Sequence, residues 1–172
     1  MNVIVKAILF ASEKHRDQER KGSGLPYVTH PIIVSELLRK YKSSKNLESL
    51  IVAAMLHDTI EDTETTYQEI SDVFTPMIAG IVLELTSNSE KIKEIGKNEY
   101  LKNKMLGMSN YALVIKLVDR LSNVMDIPTA NYVKDTIDLI EFLNINRSEL
   151  SETHKYIMKD ILTICYNKQG LK

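Results

Sequence analysis

Apolar residues recur at helical spacing along almost the whole chain. Ile4, Ala7, Ile8, Ala11 and His15 share one face, which predicts a first helix running to about Arg20. Gly22, Gly24 and Pro26 predict a loop over 21–26. Pro31 suits a first helical position with His30 as the cap residue, and the helix carrying Ile32, Ile33, Leu37 and Leu38 ends near Lys42. Leu47, Leu50, Ile51 and Ala54 predict a helix over 46–58. Thr65 or Thr66 can cap a short helix, with Glu69 in capping-box spacing from Thr66. Further helices are predicted over 76–86, over the lysine-rich stretch 92–105, over 111–123, and from Pro128 through Leu143. A last one holds Leu150, Ile157, Ile161, Leu162 and Ile164. An alternating strand pattern never persists, so the expected class is all-α. No repeat, low-complexity tract or linker appears, and one domain over 1–172 is expected.

One stripe breaks its own rule. The apolar face of the 46–58 helix runs into His57 and Asp58, then Glu61 and Asp62. Carboxylates taken out of water are costly unless positive charge lies among them. A divalent metal is the simplest such charge, and imidazole beside carboxylate is a mixed ligand set for one. A second polar set lies on the 111–123 helix. Lys116, Asp119 and Asn123 project from one side of a segment that Val114, Ile115, Leu117, Val118 and Leu121 otherwise make apolar. Those three residues read either as an intrahelical Lys116–Asp119 pair on a wet face or as the wall of a site.

His30 alone reads as a helix-cap histidine. With His57, Asp58 and Asp119 it makes a five- or six-coordinate set with open positions, suited to manganese, iron or zinc rather than calcium. No cysteine is near, which argues against a structural zinc site. His15 and His154 lack such company and read as structural or exposed. Arg16, Arg20 and Lys21 crowd the expected end of the first helix. They read as a solvated turn or as a grip for phosphate or base. The lysines over 91–104 alternate with glutamates and read as a solvated helix.

Composition narrows the classes. The 172 residues are 44% hydrophobic, enough for a real core. A net charge of −1 gives no global pull toward nucleic acid or anionic membrane, and no aromatic and basic stripe is present. The single Cys165 cannot form an internal disulfide and fits a reducing compartment. The opening apolar stretch is broken by Lys6 and lacks a basic lead, so a first core helix is expected rather than a signal peptide. No run is long enough to span a bilayer, and cytoplasmic residence is the default expectation.

Three ordered segments resemble one family. The stretch from His15 to Pro31 (HRDQERKGSGLPYVTHP) resembles the opening signature of the RelA/SpoT-type hydrolase domain. Residues 56–63 (LHDTIEDT) are similar to its HD and ED motifs, and residues 116–123 (KLVDRLSN) to its closing motif. The resemblance extends over nearly the whole chain, and the size matches the stand-alone small alarmone hydrolases, metazoan ones included. It leaves no room for the synthetase domain of the long bifunctional relatives.

The resemblance implies an HD-domain bundle of about eight to ten helices. It implies a manganese ion held by His30, His57, Asp58 and Asp119. Glu61 and Asp62 would handle the attacking water, one as general acid/base and the other as orienting group. Arg20 would pack on a guanine with Lys21 in the same wall, Asn123 would contact the ribose, and Lys116 would lie near the phosphates. The implied reaction removes the 3′-pyrophosphate of ppGpp or pppGpp to give GDP or GTP.

The sequence departs from the family pattern at three places that bear on substrate choice. Asp17 stands where a glycine is usual and Ser122 where a larger ring is common. The segment after Pro128 matches weakly, with Tyr132 and Lys134 as its candidates. Two other functions therefore stand beside the first: a phosphatase of another nucleotide such as NADPH, and a catalytically silent nucleotide-binding module. The complete metal and acid set argues against the silent module.

Overall fold

The computed structural model describes residues 1–170. They divide into two compact units, Met1–Ser87 and a second that begins at Asn88. Among the described residues every regular element is helical, with one isolated bridge between Glu19 and Pro26. The all-α expectation holds.

The first unit contains α1 (Val3–Lys14), α2 (Thr29–Tyr41), α3 (Leu47–Leu56), α4 (Thr59–Asp62), α5 (Tyr67–Val73) and α6 (Pro76–Leu85). Its centre is α3. Every residue from Leu50 to Leu56 is buried, as expected for a helix that is apolar all round. It packs against α1, α2 and α6. Ala7 and Ala11 are the buried residues of α1, and their small side chains let the helix approach closely. Truncating a side chain such as Leu50, which is fully buried, costs about 2–5 kcal/mol.

Helix ends differ from the sequence reading in several places, each for a local reason. The first helix stops at Lys14, not near Arg20. His15 Nδ1 bonds Gln18 Oε1 at 2.8 Å, and the Gln18 N–H donates to the His15 carbonyl at 3.0 Å, closing a turn instead of a further helical one. Arg20 and Lys21 therefore lie in the loop after α1 and do not complement its C-terminus. The second helix begins at Thr29, so Pro31 is its third residue and His30 its second. Proline is tolerated there because N–H groups of the first turn have no intrahelical acceptor. Thr66 does cap α5, its hydroxyl accepting from the Glu69 N–H at 3.1 Å, and Thr75 caps α6, which opens with Pro76.

The second unit contains α7 (Ser89–Ile95), α8 (Lys97–Gly107), α9 (Asn110–Met125), α10 (Ala130–Asn146) and α11 (Glu152–Lys168). The single helix expected over 92–105 is two. Gly96 breaks it at φ +83°, a conformation glycine adopts without a Cβ penalty. Leu150 precedes the last helix, whose N-cap is Ser151. α9 packs on α11, and α10 packs on α8 and α11. Arg147 ties the end of α8 to α10 by donating to the carbonyls of Met105, Leu106 and Met108, each at 2.7 Å. His154 is buried and closes a capping box with Ser151, a structural role. No helix among the described residues is long and apolar enough to cross a membrane.

Candidate functional site

In the first unit the chemistry gathers where α3 ends. The helix stops at Leu56, His57 and Asp58 form a turn, and α4 follows at once. This turn changes the expected geometry. His57 is buried, Asp58 is half-buried, and Glu61 and Asp62 are exposed. The buried acidic stripe expected from periodicity is thus a donor set that emerges toward solvent, because the helix ends before the stripe continues.

His57 is held in one orientation. Its Nδ1 lies 2.7 Å from the Ala54 carbonyl. A carbonyl only accepts, so Nδ1 carries the hydrogen and Nε2 presents a lone pair. Asp58 Oδ2 stands 3.0 Å from that Nε2. Two lone pairs facing at this separation repel unless a proton or a cation lies with them. His30 joins the pair from α2: its Nε2 is 4.0 Å from the same Oδ2, its ring centroid is 5.3 Å from that of His57, and each ring offers a nitrogen within 4.8 Å of the other. Both imidazoles are buried. Two imidazoles and a carboxylate with a backbone-fixed tautomer fit a divalent first-row cation.

The acid pair is placed by backbone groups. Glu61 Oε2 accepts the Ser87 N–H at 2.7 Å. The Asp62 carbonyl accepts from the Gln18 side-chain amide at 2.8 Å, and Gln18 is in turn bonded to His15. Partial desolvation pushes the Asp62 carboxyl above its ordinary range. The negative charges of Asp58 and Glu61 add to this, while His15 and His57 oppose it. Arg20 is half-buried and Lys21 exposed. Their loop is closed by the Arg20 N–H donating to the Leu25 carbonyl at 2.7 Å.

The second unit carries the other polar set on α9. Asp119 is buried. Lys116 Nζ lies 3.1 Å from its Oδ2, and the Asn123 amide donates to its Oδ1 at 2.7 Å. Both sequence alternatives for Lys116 and Asp119 meet here. The intrahelical pair exists, and it lies on a largely buried helix rather than a wet face. Tyr132 from α10 packs over the Arg120 guanidinium at 4.9 Å, and its hydroxyl is pushed up by burial. Lys134 and Asp17 are exposed, and Ser122 is buried.

A family model described as HD domain matches residues 7–138. The chain belongs to the HD-domain family. Within it, the chain is similar to stand-alone enzymes named guanosine-3′,5′-bis(diphosphate) 3′-pyrophosphohydrolase MESH1. The one from Danio rerio is 36% identical over 126 residues, covering 73% of this chain and 69% of that protein. A protein named guanosine-3′,5′-bis(diphosphate) 3′-pyrophosphohydrolase from Aquifex aeolicus is 38% identical over 133 residues, and the match spans 17% of its length. A solved structure described as a metazoan ortholog of SpoT that hydrolyzes ppGpp matches with a TM-score of 0.79 at 25% identity, covering 100% of this chain and 98% of that one.

Sequence reasoning missed two contributors to this HD-family site. Ser87 acts only through its backbone N–H, which leaves no signal in residue type. Tyr27 donates its hydroxyl to Asp58 Oδ2 at 2.5 Å. Its position three residues before His30 was the available clue.

Proposed function

We propose that the protein is a metal-dependent guanosine-3′,5′-bis(diphosphate) 3′-pyrophosphohydrolase that converts ppGpp or pppGpp to GDP or GTP. The observation that carries this reading is the His30, His57 and Asp58 donor group at the end of α3, followed directly by a backbone-anchored Glu61 and by Asp62. HD-family membership and the named relatives support it. His30, His57, Asp58 and Asp119 are the proposed ligands and manganese the proposed ion. The family match over residues 7–138 includes Asp119 and supports counting it among the ligands, and 1–172 is proposed as one HD-type domain.

A divalent cation held by those ligands supplies Lewis-acid polarisation of a phosphoryl oxygen and acidifies water. Glu61, fixed by the Ser87 N–H, orients and deprotonates the attacking water. Asp62, whose raised carboxyl retains a proton longer than an ordinary aspartate, returns a proton to the departing oxygen. Arg20 stacks on the guanine and Lys21 screens charge beside it. Lys116 and Asn123 hold the Asp119 carboxylate; Lys116 turns its remaining N–H donors to phosphate, and Asn123, whose amide donates to both the carbonyl and Oδ1 of Asp119, offers its Oδ1 as acceptor to a ribose hydroxyl. The substrate is a free nucleotide, and neither nucleic acid nor membrane takes part. The single buried Cys165 supports a cytoplasmic setting.

The test is incubation with ppGpp and manganese, with NADPH in parallel, and separation of products by ion exchange. GDP and pyrophosphate that disappear on chelation support the reading. Phosphate from NADPH with intact ppGpp moves the function to another nucleotide. No turnover of either by metal-loaded protein favours a binding module.

A further inference from the structure

Tyr27 stands outside the proposed ligand set yet touches two of its members, His30 and Asp58. Its backbone N–H donates to the Gln18 carbonyl at 2.9 Å, and its carbonyl accepts the His30 N–H at 2.9 Å. Its ring lies between two imidazoles, 4.8 Å from His15 at 42° and 5.9 Å from His30 at 64°. Backbone and ring are therefore both held, and the hydroxyl has one direction to take. That direction is Asp58 Oδ2, at 2.5 Å.

The same oxygen faces His57 Nε2 at 3.0 Å. The terminal torsion of an aspartate is broad and roughly two-fold, so an untethered Asp58 would sample several carboxylate orientations. A short O–H···O⁻ bond is among the strong ones and selects a single orientation. We propose that Tyr27 is a positioning residue that fixes the Asp58 carboxylate and thereby sets the affinity of the site for a divalent cation. The proposal rests on the reading of Asp58 as a ligand. Partners that hydrogen-bond a metal ligand typically contribute about 10–100-fold in metal affinity.

A packing role makes a different forecast. Tyr27→Phe keeps the ring between His15 and His30 and removes only the hydroxyl. If the ring alone matters, cation affinity stays at the wild-type value. If the hydroxyl positions Asp58, affinity falls with the ring in place.

The experiment is a manganese titration of the full chain by calorimetry, on wild type, Tyr27→Phe and Asp58→Ala. Metal-free melting temperatures are read alongside, and turnover of ppGpp is followed at rising manganese. The expected result is a manganese Kd raised about 10–100-fold in Tyr27→Phe, near-unchanged metal-free melting, and kcat restored at saturating manganese. Unchanged Kd in Tyr27→Phe with manganese binding lost in Asp58→Ala overturns the proposal and leaves the ligand assignment intact. So does a Tyr27→Phe chain that melts lower but binds manganese as wild type does, which assigns the residue to packing. Wild-type binding by Asp58→Ala overturns the ligand assignment and this proposal with it.

Discussion

Removing His57 should separate the two things it does. Its Nδ1–H satisfies the Ala54 carbonyl at 2.7 Å inside a buried turn, and its Nε2 faces Asp58 at 3.0 Å as a proposed ligand. His57→Ala leaves that carbonyl without its partner, which costs about 1–3 kcal/mol even in metal-free protein. The second loss appears only with metal. A ligand present at 100 times its Kd stabilises the folded chain by about 2.7 kcal/mol, which for a protein of this size is a rise of about 5–11 °C in melting temperature. If the variant's Kd rises to the same manganese concentration, the increment falls to about 0.4 kcal/mol, or about 1–2 °C. The assay is thermal unfolding of each chain in chelator and in manganese. Only the manganese increment within each chain is compared, so the folding penalty cancels. Lowering pH should shrink the wild-type increment as well, because a proton competes for the same Nε2 lone pair. An undiminished increment in His57→Ala would refute the assignment of His57 to the metal.

The other expectations concern the acid pair and the loop. Glu61→Gln should bind manganese as wild type does and lose turnover by about 100- to 10,000-fold, the usual worth of a positioned acid or base. Wild-type rates would remove Glu61 from the reaction. Asp62 is held above its ordinary range, so folding favours its protonated form. The stability it contributes is fully present below the unfolded value near 3.8 and is lost as pH rises through the higher folded value. Asp62→Asn should therefore raise metal-free melting at neutral pH and have little effect below the unfolded value. A variant that melts lower at neutral pH contradicts the sign. Arg20→Ala should raise KM for ppGpp more than it lowers kcat, measured by steady-state kinetics. An unchanged KM would place the guanine away from Arg20.

Helical content was legible because apolar spacing reports one-dimensional facts. Leu50, Ile51 and Ala54 are buried at the spacing that suggested a helix. Thr66 and Pro76 mark starts that the structure keeps. The errors fall where a side chain or a single glycine overrides the period. The periodic set ending in His15 continued the α1 face, but the His15–Gln18 bond and the Glu19–Pro26 bridge draw the chain into a loop. Gly96 lies inside a run of good helix formers and breaks it with a positive φ. The acid pair was visible as a clash between pattern and charge. Its anchors were not: the Ser87 N–H and the Tyr27 hydroxyl reach Glu61 and Asp58 across 26 and 31 residues of chain.

The clash between pattern and charge also explains why the donor group sits at the end of α3 and not along it. Between Leu50 and Leu56 α3 offers only apolar neighbours, so an ionised aspartate there would lack the partners that Lys116 and Asn123 give the buried Asp119 on α9, and one imidazole would not offset its desolvation. Ending the helix at Leu56 solves this locally. His57 stays buried, where the Ala54 carbonyl can fix its tautomer, while Asp58 is partly exposed and can accept from Tyr27. The next four residues form a helix too short to stand by itself, so Glu61 and Asp62 depend on tertiary anchors for their placement. The most thoroughly buried helix of the first unit thus ends on one of the two proposed ligand histidines. The proton-handling groups lie on the adjoining short turn, held by Ser87 and Gln18 from elsewhere in the same unit.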